Sequence, residues 1–431
     1  MRRGLEIFFT SHVEKVVDMT RNVAVVGIGY TNFNSMTPDL SWKEFMYEAC
    51  QRAYMDAGLD SRKDIDGFIT CAEDYWEGFS IFDEFVPDQI GATLKPCCTV
   101  CGDGIYGLGN AYMQIKTEQF NVVAVEAHSK ISDLLTVGDV MLHAFDPLFE
   151  KPITGPIERK KFTGNPSYKK ESPKPLVGKT NEKNRIHPYF LAGLEMQNYL
   201  KKTKTTEEQC AKVVVKNKKN AFNNPNAGYE ANINIDDVMN SEYLFRPVKK
   251  LDISPNIDVA ISFVLADEDT AKSLDVEPIW LKGFGWNSET PWLSTRSMDA
   301  NYAKMASKMA YKMAGINNPI KEINIAEVDD RFSYKELQHL EALDLVEPGM
   351  AAKMLDDKEL LKNGSLPTNI SGGSLGVGNC YEATGLQKAL EIVTQLRGHA
   401  GKRQVKNAEI GIAQSWRGIP SGSGAVAIFG R

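Results

Sequence analysis

Histidine and cysteine are scarce in this chain, at six and seven among 431 residues. Seven is odd and far too sparse for the dense, paired cysteines of a disulfide scaffold, which points to a reducing compartment and makes the cytoplasm the expectation. No run of 18 consecutive apolar residues occurs, so nothing has the length of a transmembrane helix. The first 20 residues hold one short apolar stretch, Leu5 to Thr10, with Glu14, Lys15 and Asp18 behind it; they lack a signal-peptide h-region and read as an extension to the fold. Positive charge is not in excess either. Lys and Arg total 50 against 56 Asp and Glu, a net charge of −6, which excludes nucleic-acid binding carried by overall basicity. What is present is ordinary: 42% hydrophobic and 25% charged residues, enough to build two or three domains around real cores.

From Asn22 the chain reads as a strand, then an amphipathic helix from Ser41 to Ala57, then a strand at Ile65 to Thr70. A helix starting near Asp103 leads to a strand at Asn121 to Ala127, and another strand lies at Val259 to Asp267. These runs are apolar throughout, as expected of strands covered on both faces. The order then repeats: a strand at Ile279 to Gly285, a Met/Ala-rich helix at Asp299 to Ala314, and a strand at Ile323 to Val328. A Gly-rich turn and helix at Ser371 to Leu396 follow, with strands at Glu409 to Ala413 and Gly424 to Gly430. The first two strands start 42 residues apart in one half, at Val23 and Ile65, and 44 apart in the other, at Ile279 and Ile323, which suggests an internal duplication. The domain expectation is an extension at 1–21, a first half at 22–127 and 256–272, an insertion at 128–255, and a second half at 273–431. The insertion carries a Lys/Pro/Gly-rich stretch, Lys160 to Lys183, read either as a solvated face or as a platform for an anionic ligand, and then helices at Pro188 to Lys201 and Thr205 to Asn220.

Cys97, Cys98 and Cys101 cluster in KPCCTVCGDGIYGLGNAY, with Gly102 and Gly104 just ahead of a helix. A thiolate at a helix N-terminus is favoured by the dipole, and Cys101 is the best placed of the three to be a nucleophile. Cys98 and Cys101 also form a CxxC. A zinc site would need two further ligands, and there is no second CxxC or HxxxH; a redox pair would want a strand feeding the motif, and the pattern shows none there.

The segment CGDGIYGLGNAYMQIKTEQFNVVAVEAHSKIS resembles the nucleophile region of thiolases of the sterol-carrier-protein-x type, with Cys101 on the acylated cysteine. NVAVVGIGYTNF resembles that family's opening strand, TTEEQCAKVVVKNKKNAFNNPNAGY its loop-domain helix, and SGGSLGVGNCYEATG, Ser371 to Gly385, its S-G-G-x-x-x-x-G-H-P-x-G-A-T-G pattern. The resemblance implies an α/β thiolase fold in which two duplicated βαβαβαββ halves form a five-layered αβαβα core with an inserted loop domain. It implies coenzyme A as substrate with no metal in this chain, an acyl-CoA ligand, a homodimer core and company in the form of a small OB-fold, zinc-ribbon partner.

The departures bear on the chemistry. Gly378-Asn379-Cys380 stands where the family has G-H-P, and Glu327-Val328-Asp329-Asp330-Arg331-Phe332 where it has E-V-H-D-C-F. The late turn RGIPSGSGA has no acid/base cysteine. The expected catalytic set is therefore Cys101 as nucleophile, Asn379 as an oxyanion donor, and Asp329, Asp330 and Cys380 as proton carriers. Backbone N–H groups at Gly378 and at Gly422 and Ser423 are expected to bind substrate. Arg331 is expected either to hold a substrate carboxylate or to pair with Asp329 or Asp330. The six histidines, His12, His128, His143, His187, His339 and His399, fall on no catalytic position of the family and read as core or surface. Three activities remain: a thiolase working through acyl-Cys101 on a 3-oxoacyl-CoA, including carboxylated or aryl substrates such as benzoylsuccinyl-CoA; a retro-aldol lyase on a β-hydroxyacyl-CoA; or a non-catalytic CoA-binding subunit of a hetero-oligomer.

Overall fold

The structure is a computed structural model that describes residues 21–73, 81–133, 189–290, 297–419 and 421–431. The extension up to residue 20, the Lys160 to Lys183 stretch, and His12, His143 and His187 lie outside the described residues.

Strand β1 (Val23–Tyr30) leads to α1 (Trp42–Ala57), which Ser41 opens with a reciprocal capping box to Glu44 and Gly58 closes in the left-handed conformation. Then come β2 (Gly67–Ala72), β3 (Cys97–Cys101), α2 (Gly104–Lys116) and β4 (Val122–Ser129). The insertion contributes α3 (Phe190–Thr203), α4 (Glu207–Ala221) and a hairpin of β5 (Tyr243–Phe245) and β6 (Val248–Lys249). Strand β7 (Val259–Asp267) completes the first half. The second half runs β8 (Ile279–Ser288), α5 (Asn301–Ala314), β9 (Ile325–Glu327), α6 (Ser333–Ala342), the short α7 (Gly373–Val377), α8 (Thr384–Leu396), β10 (Ile410–Trp416) and β11 (Ser423–Gly430).

The nine-stranded sheet has the order β3-β2-β4-β7-β1-β8-β11-β10-β9, a palindrome about the β1–β8 junction. On each side the junction strand pairs antiparallel with its neighbour (β1 with β7, β8 with β11). The next pair is antiparallel too (β7 with β4, β11 with β10), and the one beyond is parallel (β4 with β2, β10 with β9). The counterpart of β3 in the second arm is shortened to one parallel bridge, Ala326 to Thr368. Helices α2 and α8 pack on each other, and each touches strands of both arms. The sheet must therefore fold over at the junction, where only Ala24 with Trp280 and Val25 with Ile279 are in register. The resulting layers are α1, first arm, α2 with α8, second arm, and α5, while α3 and α4 lie with the outer core of the second half.

Small residues allow the outer layers to close, and they do so twice. A Cβ on Gly27 would lie 2.3 Å from the Ala53 carbonyl, and one on Gly29 2.2 Å from the Ala49 carbonyl. In the second half Gly283 and Gly285 meet the Ala310 and Ala306 carbonyls at 2.3 and 2.2 Å in the same sense. Two glycines spaced i, i+2 on a strand thus face an alanine row spaced i, i+4 on the covering helix in both halves, Ala49-Ala53-Ala57 and Ala306-Ala310-Ala314.

Gly285→Ala should cost about 1–3 kcal/mol, because the obstacle is helix backbone and cannot rotate away. Urea unfolding checks this against Met305→Ala, an exposed position on the same helix expected to stay within about 0.5 kcal/mol of wild type. A midpoint for Gly285→Ala equal to that of Met305→Ala would show that the helix retreats freely.

Candidate active site

Four segments meet at the C-terminal ends of parallel strands, where open α/β sheets place ligand groups. They are Cys101 to Gly104 from the end of β3, Asp329 to Arg331 after β9, Gly378 to Gly385 running into α8, and Arg417 to Ile419 after β10. Two glycines bring the first and third together. A Cβ on Gly104 would lie 2.1 Å from Leu386 Cγ, and one on Gly385 2.8 Å from Asp103 Oδ2.

The structure corrects the placement of Cys101. It does not open the helix; it ends β3, aligned with Ala72 of β2, and α2 begins three residues later at Gly104. The cap is Asp103, whose Oδ1 accepts from the Ile105 N–H at 3.0 Å, a task a thiol performs poorly. The strand that a CxxC redox pair would want is there, but it runs through the cysteines. Alternation then puts Cys97 and Cys101 on one face and Cys98 on the other, so Cys98 and Cys101 point apart. Cys97 and Cys98 pack against separate apolar clusters, and burial pushes the Cys97 thiol up to about 12. Of the seven cysteines only Cys101 is exposed.

Beside Cys101 lie groups that pattern reading missed. Arg417 reaches it with Nη2 4.0 Å from Sγ, and its Nε donates to Glu73 Oε1 at 2.8 Å. Asp103 is fully enclosed, and burial pushes its carboxyl up to about 7 against the pull of the Ser415 hydroxyl. Each of the three ends a strand or caps a helix: Glu73 follows β2, Arg417 follows β10, and Asp103 precedes α2. They stand, like Arg331, at the ends of strands, where open α/β sheets place ligand groups.

The two aspartates, read together as proton carriers, differ sharply. Asp330 is saturated. Its Oδ1 accepts from the Ser374 N–H at 2.5 Å and lies 3.2 Å from Lys388 Nζ, while Oδ2 accepts from Asn217 Nδ2 at 2.7 Å and the Leu375 N–H at 3.2 Å. A Cβ on Gly373 would strike this carboxylate at 2.2 Å, so the Gly-Gly turn is shaped around it. Asp329 is equally buried but has a vacancy: Oδ1 accepts from the Arg331 N–H at 2.9 Å and Oδ2 has no hydrogen-bond partner. Burial raises its carboxyl, opposed by the nearby Arg331 charge.

Cys380 is enclosed, donates to the Gly378 carbonyl at 3.5 Å, and has its thiol pushed up to about 12 by burial. It stays protonated at neutral pH and does not supply a thiolate base. Asn379 holds Asn256 Oδ1 through a long 3.4 Å contact from Nδ2, and its own Oδ1 is unpartnered. Gly378, at φ +125°, leaves no room for a Cβ, which would meet Ile257 at 2.6 Å. The guanidinium of Arg331 stacks at 5.4 and 5.9 Å from the Tyr381 and Trp416 ring centroids and abuts Gly418, with Nε unpartnered. Among the described residues it forms no salt bridge with Asp329 or Asp330, the latter being paired with Lys388. The Gly422 carbonyl accepts from the Glu289 N–H at 2.8 Å and the Ser423 hydroxyl donates to Ser288 at 2.9 Å, so these bonds brace the base of the turn that carries Arg417.

Of the three described histidines, His399 is exposed, and His339 and His128 have structural partners. His339 donates from Nδ1 to the Asp329 carbonyl at 2.7 Å and accepts at Nε2 from the Tyr302 hydroxyl at 2.8 Å, and burial holds it well below the usual imidazole range. His128 pairs with Glu126 at 3.2 Å under the Trp42 ring. Among the described residues no group of three or more His, Cys, Asp and Glu is arranged to hold a metal ion, and no helix is long and apolar enough to cross a membrane.

Residues 288–431 match the family described as Thiolase C-terminal domain-like. The chain is similar to an acetyl-CoA acetyltransferase of Methanothermobacter thermautotrophicus, 30% identical over 426 residues that span 95% of this chain and 100% of that protein. It is also similar to sterol carrier protein 2 of Gallus gallus, 25% identical over 401 residues that span 90% of this chain and 68% of that protein. Among solved structures, the Ltp2-ChsH2(DUF35) aldolase matches with a TM-score of 0.76 at 22% identity, covering 95% of this chain and 97% of that one. The monomeric SCP2-thiolase like protein type 1 of Mycobacterium smegmatis matches with a TM-score of 0.66 at 15% identity, covering 95% and 77%. At these identities the two structures speak for the fold alone.

The two aspartates should separate on mutation. Asp330→Ala strands Lys388 in the interior and should cost about 3–5 kcal/mol, read as a lower urea midpoint. Asp329→Asn keeps its Oδ1 acceptor and should stay within about 1 kcal/mol of wild type. Equal losses for both would show that Asp329 is as structural as its neighbour.

Proposed function

Since the chain belongs to the thiolase superfamily, in its sterol-carrier-protein-2-like branch, we propose that it is a CoA-dependent acyltransferase that cleaves or forms a 3-oxoacyl-CoA through an acyl-Cys101 intermediate. The observation that carries this reading is the exposed sulfur of Cys101 at a strand end, with the Arg417 guanidinium 4.0 Å away. In the cleavage direction the thiolate adds to the 3-oxo carbon and the bond to the α-carbon breaks. The electron pair leaves on that carbon as a thioester enolate, which then takes up a proton. The amide of Asn379 is the donor proposed for the oxyanion, and the free Oδ2 of Asp329 is the oxygen proposed to carry the proton. A CoA thiol then takes the acyl group from Cys101, which recovers its starting state.

A second reading keeps the fold and changes the bond that is broken. The site holds no histidine at 329–331 or 378–380 and Cys380 stays a thiol, so a retro-aldol cleavage of a β-hydroxyacyl-CoA, which needs no acyl-enzyme, suits these residues too. The Ltp2-ChsH2(DUF35) aldolase has the same fold. That aldolase is named for two components, which supports the proposal of a partner subunit; the small OB-fold, zinc-ribbon form of the partner and the homodimer core are proposed on the family resemblance.

Intact mass after incubation with acetoacetyl-CoA should show an acetyl adduct on the wild type and none on Cys101→Ser, with Cys101→Ser losing at least about a thousandfold in turnover. Turnover without an adduct, at a rate the serine variant keeps, would reject the acyl-enzyme and favour the lyase.

Arg331 is proposed to read a second carboxylate on the substrate, its guanidinium being buried, stacked and free of aspartate pairing. Arg331→Met should then raise KM for a dicarboxylic acyl-CoA such as benzoylsuccinyl-CoA by about tenfold or more while moving KM for acetoacetyl-CoA little, one lost charged hydrogen bond being worth about 1.5–3 kcal/mol. Equal losses on both substrates together with a lower Tm would leave Arg331 only the role of packing against Gly418.

A further inference from the structure

The missing histidines leave open what favours the thiolate of Cys101, and the answer lies in the turn after β10. That turn reads RGIPSGSGA, and its first residue is the only cation with a hydrogen-bond-range contact to the Cys101 sulfur among the described residues. Three features fix Arg417 there. Its Nε is held at 2.8 Å by Glu73, a carboxylate 4% exposed at the end of β2. Its backbone N–H donates to the Ser423 carbonyl at 3.0 Å, which closes the turn. The next residue, Gly418, packs on the Arg331 guanidinium so tightly that a Cβ would lie 1.8 Å from an Nη, which leaves the turn no room to shift toward Arg331.

We propose that Arg417, anchored by Glu73, is the catalytic cation that stabilises the Cys101 thiolate, in the place where a histidine would otherwise accept the thiol proton. This inference rests on the acyl-Cys101 reading and adds its activating group. A guanidinium does not accept a proton at any pH the fold survives. The S–H proton therefore leaves to water when the thiolate forms, and Arg417 keeps its charge throughout. A fixed positive charge 4.0 Å from sulfur attracts the negative charge sulfur carries as it attacks, and does so more strongly as bound substrate excludes water. Glu73 is a positioning residue: it holds the guanidinium in reach and touches no reacting atom.

Alkylation by iodoacetamide tests this without any turnover, because only the thiolate reacts. Wild type and Arg417→Gln are treated at pH 7, and labelling of Cys101 is followed by peptide mass, with Cys97 and Cys98 in the same peptide map as slow internal references. The expected result is a Cys101 rate about fivefold lower in Arg417→Gln and a wild-type rate that falls as salt is raised, since screening weakens the charge that holds the thiolate. A variant that reacts as fast as wild type overturns the proposal. If Arg417→Gln does not fold by circular dichroism, the wild-type salt series decides alone: a Cys101 rate indifferent to ionic strength overturns the proposal. Failure of the acyl-enzyme reading would look different, as a wild type that shows the arginine dependence yet takes up no acetyl mass from acetoacetyl-CoA.

Discussion

Everything at this site depends on how closely the two central helices approach each other at their N-termini. Gly104 of α2 meets Leu386 of α8, and Gly385 meets Asp103, at separations that a single methyl group on either glycine would forbid. Because each helix touches strands of both arms, this contact fixes the fold-over of the sheet and the convergence of the loops at once. Cys101 comes from the first half, and Asp329, Arg331, Asn379 and Arg417 come from the second. Were the helices one side chain further apart, the nucleophile and its charge environment would belong to separate surfaces.

Behind that contact sits a buried charge cluster whose role is architectural. Asp330 accepts from two backbone N–H groups at the start of α7, from Asn217 of α4 and from Lys388 of α8, so one carboxylate ties the insertion, the Gly-rich turn and the central layer together. Lys388 also lies near Glu327 and Asp329, and burial pushes the Glu327 carboxyl up to about 7 despite that lysine. Such a cluster is costly in desolvation and repays it only if every member is paired. Its contribution is to hold the turn at Gly372 and Gly373, and hence Asn379 beyond it, in one geometry.

The fold was legible because it is written in long apolar strands and in motifs. The runs at Asn22, Asn121, Val259, Ile279, Glu409 and Gly424 are strands within a few residues of where pattern placed them, and the helices expected from Ser41 and Thr205 open with capping boxes at Ser41 and Thr206. Strand β3 was not legible. It is five residues long, half-buried at the sheet edge and full of cysteine, and a motif-centred reading gave those cysteines to the helix that follows. The duplication was visible only as matching intervals, because what the halves share is the Gly-x-Gly on a strand against Ala-x-x-x-Ala on a helix, and such small residues weigh little in a comparison by identity. Within the site, the exposed Cys101 proposed as nucleophile could be found from its motif, but the difference between Asp329 and Asp330 could not. That difference is one of alternation, since adjacent residues on an extended segment face opposite ways and only the packing says which side holds Lys388 and Asn217.

The proposed reliance on Arg417, with Asn379 and Asp329 at the family's two histidine positions, changes what the site can ask of its other groups. A histidine both stabilises a thiolate, as imidazolium, and stores the proton it removed, so one residue closes the proton balance of each half-reaction. A guanidinium does only the first. On that proposal the enolate's proton comes from another acid, and the segments that carry the site hold two buried carboxyls, Asp329, whose Oδ2 is unpartnered, and Asp103. Burial raises both, and Asp103 sits at about 7, where an acid can give and regain a proton within one cycle. Asp103 spends one oxygen capping α2, two residues from the nucleophile, so its ionisation would set its charge against that of the thiolate while favouring the helix N-terminus. On these proposals the stabilisation of sulfur and the custody of the proton belong to different residues, Arg417 after β10 and a carboxyl after β9 or ahead of α2. Each can be altered without the other, which is not so where one histidine does both.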